Sequence, residues 1–573
     1  MRQRNRAVVM IVTLALASSA VCQPAKEAIA VGKQCSEPDK DVGAYFTKKQ
    51  YLHTPLPKFE EVKNRLPSPI YDDNPLWVQA YWRAWELAFK NFHEPGPESG
   101  FVSQFIDASF NRNIFLWDSS FMTMFCNFGS PLVPCISTLD NFYAKQQEDG
   151  EITREIARDT GRSDNDWVNH ECKPLYSSHG WIDVRLLPDG RSSAQLRPWD
   201  TTYVGREIPH PNPVFTLDAL DHPIPAWAEL ESYRVTGDKG RLEAVWEPLV
   251  HYYSSLQKYL RQGNGLYMTD WASMDNSPRN RYLEGGGVAV DTSSEMVLFA
   301  RNLSQIAEIL GKKEEAERYA HDADTLARVI NEKLWDKKRK FYFDLTVDNQ
   351  RSPVKTIAAY WTLIAHVASP QQAKDLVREL SNPRTFGRPN AIPSLAADEP
   401  AYDRLGGYWK GSVWAPTTTM VVRGLEGYGY DDLARQIAVQ HVNLVANVYK
   451  STGTFWENYS PEEAAPGKPA KGDFVGWSGI GPIMFFLEYG IGLKPDAARN
   501  ELIWDLEPGG RRGCDRFWFN GHVVSLIAQP YPGGSRKILL TVDSDGSFTL
   551  RIVRRGTNIT FHVEEGKQQF TIG

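Results

Sequence analysis

From Pro75 onward, apolar residues recur at helical spacing, and each run halts at a Gly or Ser turn before a second run begins. Pro75–Phe89 opens the series. The run Ala226–Thr236 crosses Gly237-Asp-Lys-Gly240 into a helix whose apolar face is Leu242, Val245, Trp246, Leu249, Val250, Tyr253, Leu256 and Leu260. Ser294–Leu310 passes Gly311 into a helix through Tyr319, Leu326 and Leu334. Thr356–Val367 leads to Ser369-Pro370, an N-cap with proline at the first helical position. Ala415–Leu425 leads through Gly427-Tyr-Gly429 to a helix carrying Leu433, Ile437, His441 and Val445. The turns near 237, 311, 369 and 429 fall roughly sixty to seventy-five residues apart, a repeat of architecture without identity between the units.

Stacked helical hairpins close into a ring or run on as an open solenoid. The stretches between these hairpins, such as Asn264–Gly287 and Pro383–Trp414, are long and rich in Gly, Pro and Trp. Long loops in a compact domain usually carry function. They favour a closed, all-α toroid with its site at one mouth. After Lys494 the pattern shortens to β-type runs: Glu501–Leu506, Phe517–Phe519, Val523–Ile527, Lys537–Val542, Ser547–Val553 and Asn558–Val563. These predict a small C-terminal antiparallel β-domain of sandwich type. The division expected is a helical domain over 75–492 and a β-domain over 493–573. Before them lies a polar, proline-rich extension over 23–74, lying along the surface or wrapping the helical domain.

Composition adds three things. Charged residues are 23% of the chain and the net charge is -6, with no basic stripe or polybasic segment, which argues against nucleic acid or an anionic membrane as partner. The 18 Trp, 24 Tyr and 26 Phe suit pockets for ligands with apolar faces and polar edges, sugars among them, although buried aromatics mostly serve packing. Arg2, Arg4 and Arg6 precede the apolar run Val8–Ala17 and the small residues up to Cys22, the pattern of a secretory signal peptide over 1–22. A secreted or periplasmic protein is expected, with Cys22 as a weak candidate for a lipid anchor. Export permits a disulfide, and Cys126 and Cys135 are the closest pair in sequence. The Cys and His spacings match no metal site, and no cofactor motif is present.

Four loops concentrate acids and tryptophans: Ile114–Phe121 with Trp117 and Asp118; Thr269–Arg279 with Asp270, Trp271, Asp275 and Arg279; Gly406–Trp414 with Trp409 and Lys410; and Gly453–Pro461 with Glu457. Glycosidic hydrolysis needs a protonated carboxyl for the leaving oxygen and a carboxylate to activate water or attack the sugar. Met274 and Pro278 limit the solvation of Asp275, which favours its protonated form. Arg279 is a candidate to hold a substrate hydroxyl or steer that acid. Glu457, between Trp456 and Asn458, suits a base whose orientation is fixed by packing. Singly, Asp275 reads as a turn residue and Glu457 as a helix-start residue; the coincidence of several such loops gives them weight.

Taken in order, Leu116-Trp-Asp-Ser-Ser-Phe121, Ser273-Met-Asp-Asn-Ser-Pro-Arg279, Tyr408-Trp-Lys-Gly-Ser-Val-Trp414, Phe455-Trp-Glu-Asn-Tyr459 and Phe474-Val-Gly-Trp477 resemble glycoside hydrolase family 63. Ala226-Trp-Ala-Glu-Leu-Glu-Ser-Tyr-Arg-Val-Thr-Gly-Asp-Lys239 also fits, and the wider group is similar to trehalases and bacterial mannosylglycerate hydrolases. The resemblance implies an (α/α)6 barrel and an inverting mechanism, with Asp275 as general acid and Glu457 as general base. It places Trp117, Asp118, Trp271, Arg279, Trp409 and Trp414 on the sugar pocket, with Lys410 at its rim. Two departures bear on the substrate. Lys410-Gly-Ser412 stands where the family usually has Arg-Gly-Pro, and Asp221-His-Pro223 where it usually has a Gln-Pro-Pro run. The expected partner is a small carbohydrate or oligosaccharide, with an α-linked glucoside or mannoside foremost. Two other readings stay open: a carbohydrate-binding toroid without chemistry, and a lyase or epimerase on the same fold. The latter needs a Tyr or His base beside a uronate-binding Arg, a cluster the sequence does not display.

Overall fold

The computed structural model describes residues 45, 49–162, 182–186, 191–196, 206–209, 222–269, 274–283, 287–532, 537–554 and 556–573, with backbone alone for the three strands between 182 and 209. The leader over 1–22, most of the extension that follows it, Cys172, Asp221, Asp270 and Trp271 lie outside the described residues.

The helices that organise the molecule are α1 (Pro75–Ala88), α2 (Leu116–Cys126), α3 (Pro225–Thr236), α4 (Lys239–Leu260), α5 (Val290–Leu310), α6 (Lys313–Lys333), α7 (Trp361–Ile364), α8 (Pro370–Leu380), α9 (Ala415–Gly427), α10 (Asp431–Thr452) and the π-helical α11 (Gly481–Ile491). Their ends follow the local chemistry. Gly237 (φ 68°) and Gly311 (φ 78°) close α3 and α5 in the left-handed conformation that glycine adopts without strain. Asp238 caps α4 by accepting the Arg241 amide, and Ser369 with Gln372 forms a capping box on α8.

Contacts among these helices run in sequence order and return to their start. Helix α2 packs on α3, α3 on α5, α5 on α7 and α7 on α9. Helix α9 meets the turn Trp477–Ile480, and that turn meets α2 again. A second set lies against this series: α4 and α6 on α5, α10 on α9 and α11, and α1 on α10 and α11. The first set is the more buried. Every residue of α2 is inaccessible or nearly so, as is every residue of α11, whereas α6 buries one stripe only, at Ala316, Tyr319, Ala323, Leu326, Ala327 and Ile330. Helices α2 and α9 start at two of the acid-and-tryptophan loops, and ring contacts from Trp117 through Trp477 to Trp414 bring those loops to one end.

The C-terminal part is two facing sheets. Strands β2 (Leu493–Asp496), β3 (Glu501–Asp505), β7 (Phe548–Arg554) and β8 (Thr557–Val563) form one. The other contains β1 (Ser68–Tyr71), β4 (Arg512–Phe519), β5 (His522–Pro530), β6 (Ile538–Ser544) and β9 (Gly566–Ile572). Alternate residues point inward, among them Leu502 and Trp504 from one sheet and Leu540 and Val542 from the other. Phe519 and Phe548 meet between the sheets at 5.4 Å. Two details differ from the sequence expectation. The sheets are antiparallel except that β3 and β7 pair parallel, and β1, from the extension before the helices, pairs with β4 and completes an edge. The pyrrolidine of Pro69 lacks a donor, a deficit an edge strand tolerates. Trp504 donates its indole N–H to the Ile491 carbonyl at 3.0 Å, joining the sheet to the end of α11.

Cys126, Cys135 and Cys514 are free thiols. Cys126 and Cys135 do come together, the Cys135 thiol donating to the Cys126 carbonyl at 3.1 Å, but no bond joins the sulfurs. Among the described residues no helix is long and apolar enough to cross a membrane, and no group of His, Cys, Asp or Glu is set to hold a metal.

Candidate active site

Glu457 sits in a hairpin that backs onto the loop before α9. Val413 and Tyr459 exchange both backbone hydrogen bonds, at 2.9 and 3.0 Å, which brings the Tyr408–Trp414 loop beside Glu457. The backbone N–H of Glu457 donates to the Lys471 carbonyl at 2.9 Å. Its side chain is buried and accepts two donors on separate oxygens: the Tyr408 hydroxyl on Oε1 at 2.6 Å and the Lys471 amide on Oε2 at 3.0 Å. The Trp477 indole N–H donates to the Glu457 carbonyl at 2.8 Å. Burial pushes the Glu457 carboxyl above its ordinary value, and the Tyr408 and Lys471 donors draw it part of the way back.

Tyr408 is held in place by an unusual backbone. Gly406 (φ 107°), Gly407 (φ 55°) and Tyr408 itself (φ 63°) are all left-handed, and a Cβ on Gly407 would meet the Asp403 side chain at 2.7 Å. Strain of this kind, at a non-glycine residue, clusters at functional sites. Burial raises the Tyr408 phenol well above its ordinary range, and the negative charges of Glu457, Asp275 and Asp118 add to the effect. One hydroxyl is therefore within electrostatic reach of three carboxylates from three different loops.

Asp275 is half-buried in the turn Met274–Arg279. Asn280 fixes that turn by donating to the carbonyls of Met274 (2.8 Å) and Asp275 (3.2 Å). Asn276 clamps it to the opposite loop, donating to the Gly407 carbonyl at 3.1 Å and accepting the Trp409 amide at 2.9 Å. Met274 and Pro278 are buried beside it. Asp118 lies buried in the first turn of α2, where the helix dipole favours a carboxylate. The rings of Trp409 and Trp414 stack at 4.4 Å, Trp414 lies 5.8 Å from Trp477, and Trp477 lies 6.0 Å from Trp117. Lys410 is half-buried in the turn after Trp409.

Arg279 departs from the expectation. It has no exposed surface, and its guanidinium is committed to Asp291 at 2.6 Å and Asp344 at 3.4 Å. A cation taken wholly from water must be paired, and these two carboxylates pair it. It ties the Met274–Arg279 turn to Asp291 and Asp344 in the interior. Next to the departure at Asp221-His-Pro223, His222 engages Glu295 at 2.6 Å and lies 5.6 Å from the Trp117 ring. Burial carries the Glu295 carboxyl up to about 7, and the paired imidazole opposes that rise.

Tyr408, Lys471, Asn276 and Asn280 were not singled out as site residues from the sequence. Tyr408 opens the Tyr408–Trp414 motif, beside two left-handed glycines, and that glycine pair is the available signal. Lys471 acts through its backbone, which leaves no trace in residue type. Trp477, at the end of the Phe474–Trp477 motif, supports the backbone of Glu457.

Carboxylates brought beside stacked indoles suit an enzyme that acts on sugars, and comparison with known proteins identifies the class as glycoside hydrolase. Residues 211–478 match the mannosylglycerate hydrolase MGH1-like glycoside hydrolase domain, and the chain belongs to this family 63-like group of glycosidases. It is 30% identical to an uncharacterised protein of Borreliella burgdorferi over 56% of this chain and 70% of that one. It is 28% identical to a probable mannosyl-oligosaccharide glucosidase of Schizosaccharomyces pombe over 44% of this chain, spanning 32% of the yeast protein. The structure resembles the family 63 mannosylglycerate hydrolase of Thermus thermophilus bound to glucose, with a TM-score of 0.50 and 18% identity, covering 70% of this chain and 98% of that one. At that identity the likeness concerns the fold.

Proposed function

We propose that the chain is an exported, inverting glycoside hydrolase on an (α/α)6 toroid, with Asp275 as general acid and Glu457 as general base. The substrate is a short sugar carrying an α-linked glucose or mannose. The link between the two loops supports the pairing most directly: Asn276, next to Asp275, bonds the backbone at Gly407 and Trp409, and Tyr408 between them bonds Glu457. The cyclic order of helix contacts supports the toroid, and the Arg2–Cys22 pattern supports export. The names of the relatives, a glucosidase and mannosylglycerate hydrolases, support the choice of sugars.

In this mechanism the protonated Asp275 gives its proton to the glycosidic oxygen as the C–O bond breaks. Glu457 takes a proton from a water that attacks the anomeric carbon from the opposite face, leaving a product of inverted configuration and a neutral alcohol. Each Glu457 oxygen uses one lone pair on Tyr408 or Lys471 and keeps another for the water. The test is a panel of α-linked disaccharides, sugar-glycerates and aryl glycosides, with product anomers followed by NMR from the first minutes. Initial release of the inverted anomer is expected. Release of the retained anomer, or turnover of none of the panel, overturns the proposal.

A further inference from the structure

At the end of the helical domain away from the catalytic loops lies a cavity of about 860 Å³. It is walled by the C-terminal halves of α5 and α9, by α3, by the segment after α7 and by β2 with its flanking turn. Its floor is a lattice of charges that satisfy one another. Arg423 grips Glu231 at 3.0 Å and Glu488 at 2.7 Å, Arg234 binds the same two carboxylates, and Lys494 pairs with Glu426 at 2.6 Å. The neighbouring guanidinium and ammonium groups hold Glu231 down to about 2 and lower Glu426, and the paired side chains balance in charge. Over the whole lining, four cationic side chains face four carboxylates.

One group in this floor is not satisfied. Asn302 is 7% exposed, its remaining surface faces the cavity, and its amide has no hydrogen-bond partner among the described residues. An amide this enclosed, opening only onto the cavity, is placed to complete its hydrogen bonds with whatever the cavity holds. Gln305 and Glu308 follow on the same face of α5 at the exposed rim, also without side-chain partners among the described residues. Beneath them the Trp227 edge, Leu298 and Ile364 provide apolar wall.

We propose that this cup is a second carbohydrate-binding subsite, taking a neutral mono- or disaccharide apart from the catalytic mouth. The amides of Asn302 and Gln305 offer both donors and acceptors and the Glu308 carboxylate offers acceptors, the mixture that adjacent hydroxyl groups require. The apolar wall suits a sugar's C–H face. The balanced charge of the lining removes the advantage an anion would need. The subsite does not depend on the roles given to Asp275 and Glu457. Trp227 touches Phe121 (5.5 Å), which touches Trp117 (4.9 Å), so an aromatic column separates the cup from the mouth.

The experiment is saturation-transfer NMR and calorimetry on the full chain with glucose, mannose and trehalose, in a Glu457→Gln background so that no probe is consumed. The double variant Gln305→Ala/Glu308→Ala changes only exposed rim side chains. It is expected to weaken one sugar-binding event by roughly tenfold or more, the scale of one or two lost hydrogen bonds. Asn302→Leu is expected to remove that event, with thermal melting reporting on its fold. Trp409→Ala, at the mouth, is expected to leave it intact. In the unmutated enzyme background the rim variant should keep its hydrolysis rate, which separates this result from any failure of the catalytic assignment. Sugar binding indifferent to the rim variant, or a site filled by inorganic phosphate in preference to sugar, overturns the proposal.

Discussion

Tyr408 donates its hydroxyl proton to Oε1 of Glu457 across 2.6 Å, from a left-handed backbone position that two preceding glycines make accessible. The bond serves the charged form of Glu457, whose burial otherwise favours the neutral acid. A general base must be ionised, so activity is lost as pH falls through the Glu457 pKa. Tyr408→Phe removes one of the groups that lower that pKa, so the acid limb of the kcat–pH profile is expected to move to higher pH. A hydrogen bond to a charged group is worth about 1.5–3 kcal/mol, which corresponds to a loss of about tenfold to a hundredfold in kcat. A profile with an unmoved acid limb would falsify the role.

The two carboxylates are expected to fail differently. Asp275→Asn removes the proton for the leaving group, so the loss should be about 10²–10⁴-fold on natural-type glycosides and largely recovered on aryl glycosides whose leaving group needs no protonation. Glu457→Gln removes the activation of water, so no improvement of the leaving group should restore it. Steady-state rates on a disaccharide and on a dinitrophenyl glycoside separate the cases. Equal recovery in both variants would exchange or dissolve the assignment.

Arg279 lies in the motif that carries Asp275, yet its guanidinium serves Asp291 and Asp344 inside the protein. Arg279→Met should leave two carboxylates buried without a cation, a loss of about 3–5 kcal/mol of stability. Thermal melting should show a large fall in Tm, while the fraction that remains folded keeps a KM close to that of the parent. A raised KM with an unchanged Tm would return Arg279 to the sugar pocket.

These residues show what a linear pattern can carry. The hairpins were legible because Leu242–Leu260 and its counterparts repeat every 3.6 residues, and the first arms α3 and α5 stop at Gly237 and Gly311, so period and cap agree. Asp275 and Glu457 were legible as a pair only through the motifs around them, since either alone reads as a turn or helix-start residue. The inward turn of Arg279 was not legible, because its partners Asp291 and Asp344 belong to other elements. Nor was the pairing of β1 with β4: Ser68–Tyr71 is a short run whose register is set by a strand at the far end of the chain. Lys471 contributes an amide, and any residue other than proline has one.

His441, on α10, offers a measure of how the helical domain responds to acid. It is fully buried, both ring nitrogens lack partners among the described residues, and its neighbours include Tyr459, Phe485 and the backbone at Gly481. Burial alone pushes its pKa down to about 4 from 6.5. Between those values the unfolded chain binds a proton that the folded protein refuses. The stability His441 allows is therefore complete above pH 6.5 and drains away as pH falls through 4, by about 3 kcal/mol in all. His441→Phe keeps an aromatic ring in the same space and cannot take the proton. Urea midpoints measured at pH 7 and pH 4 should differ less in the variant than in the parent, by about that amount once multiplied by the denaturant slope. An identical pH dependence in the two proteins would mean that the imidazole is solvated or paired in the folded state, and that acid unfolding is governed by other groups.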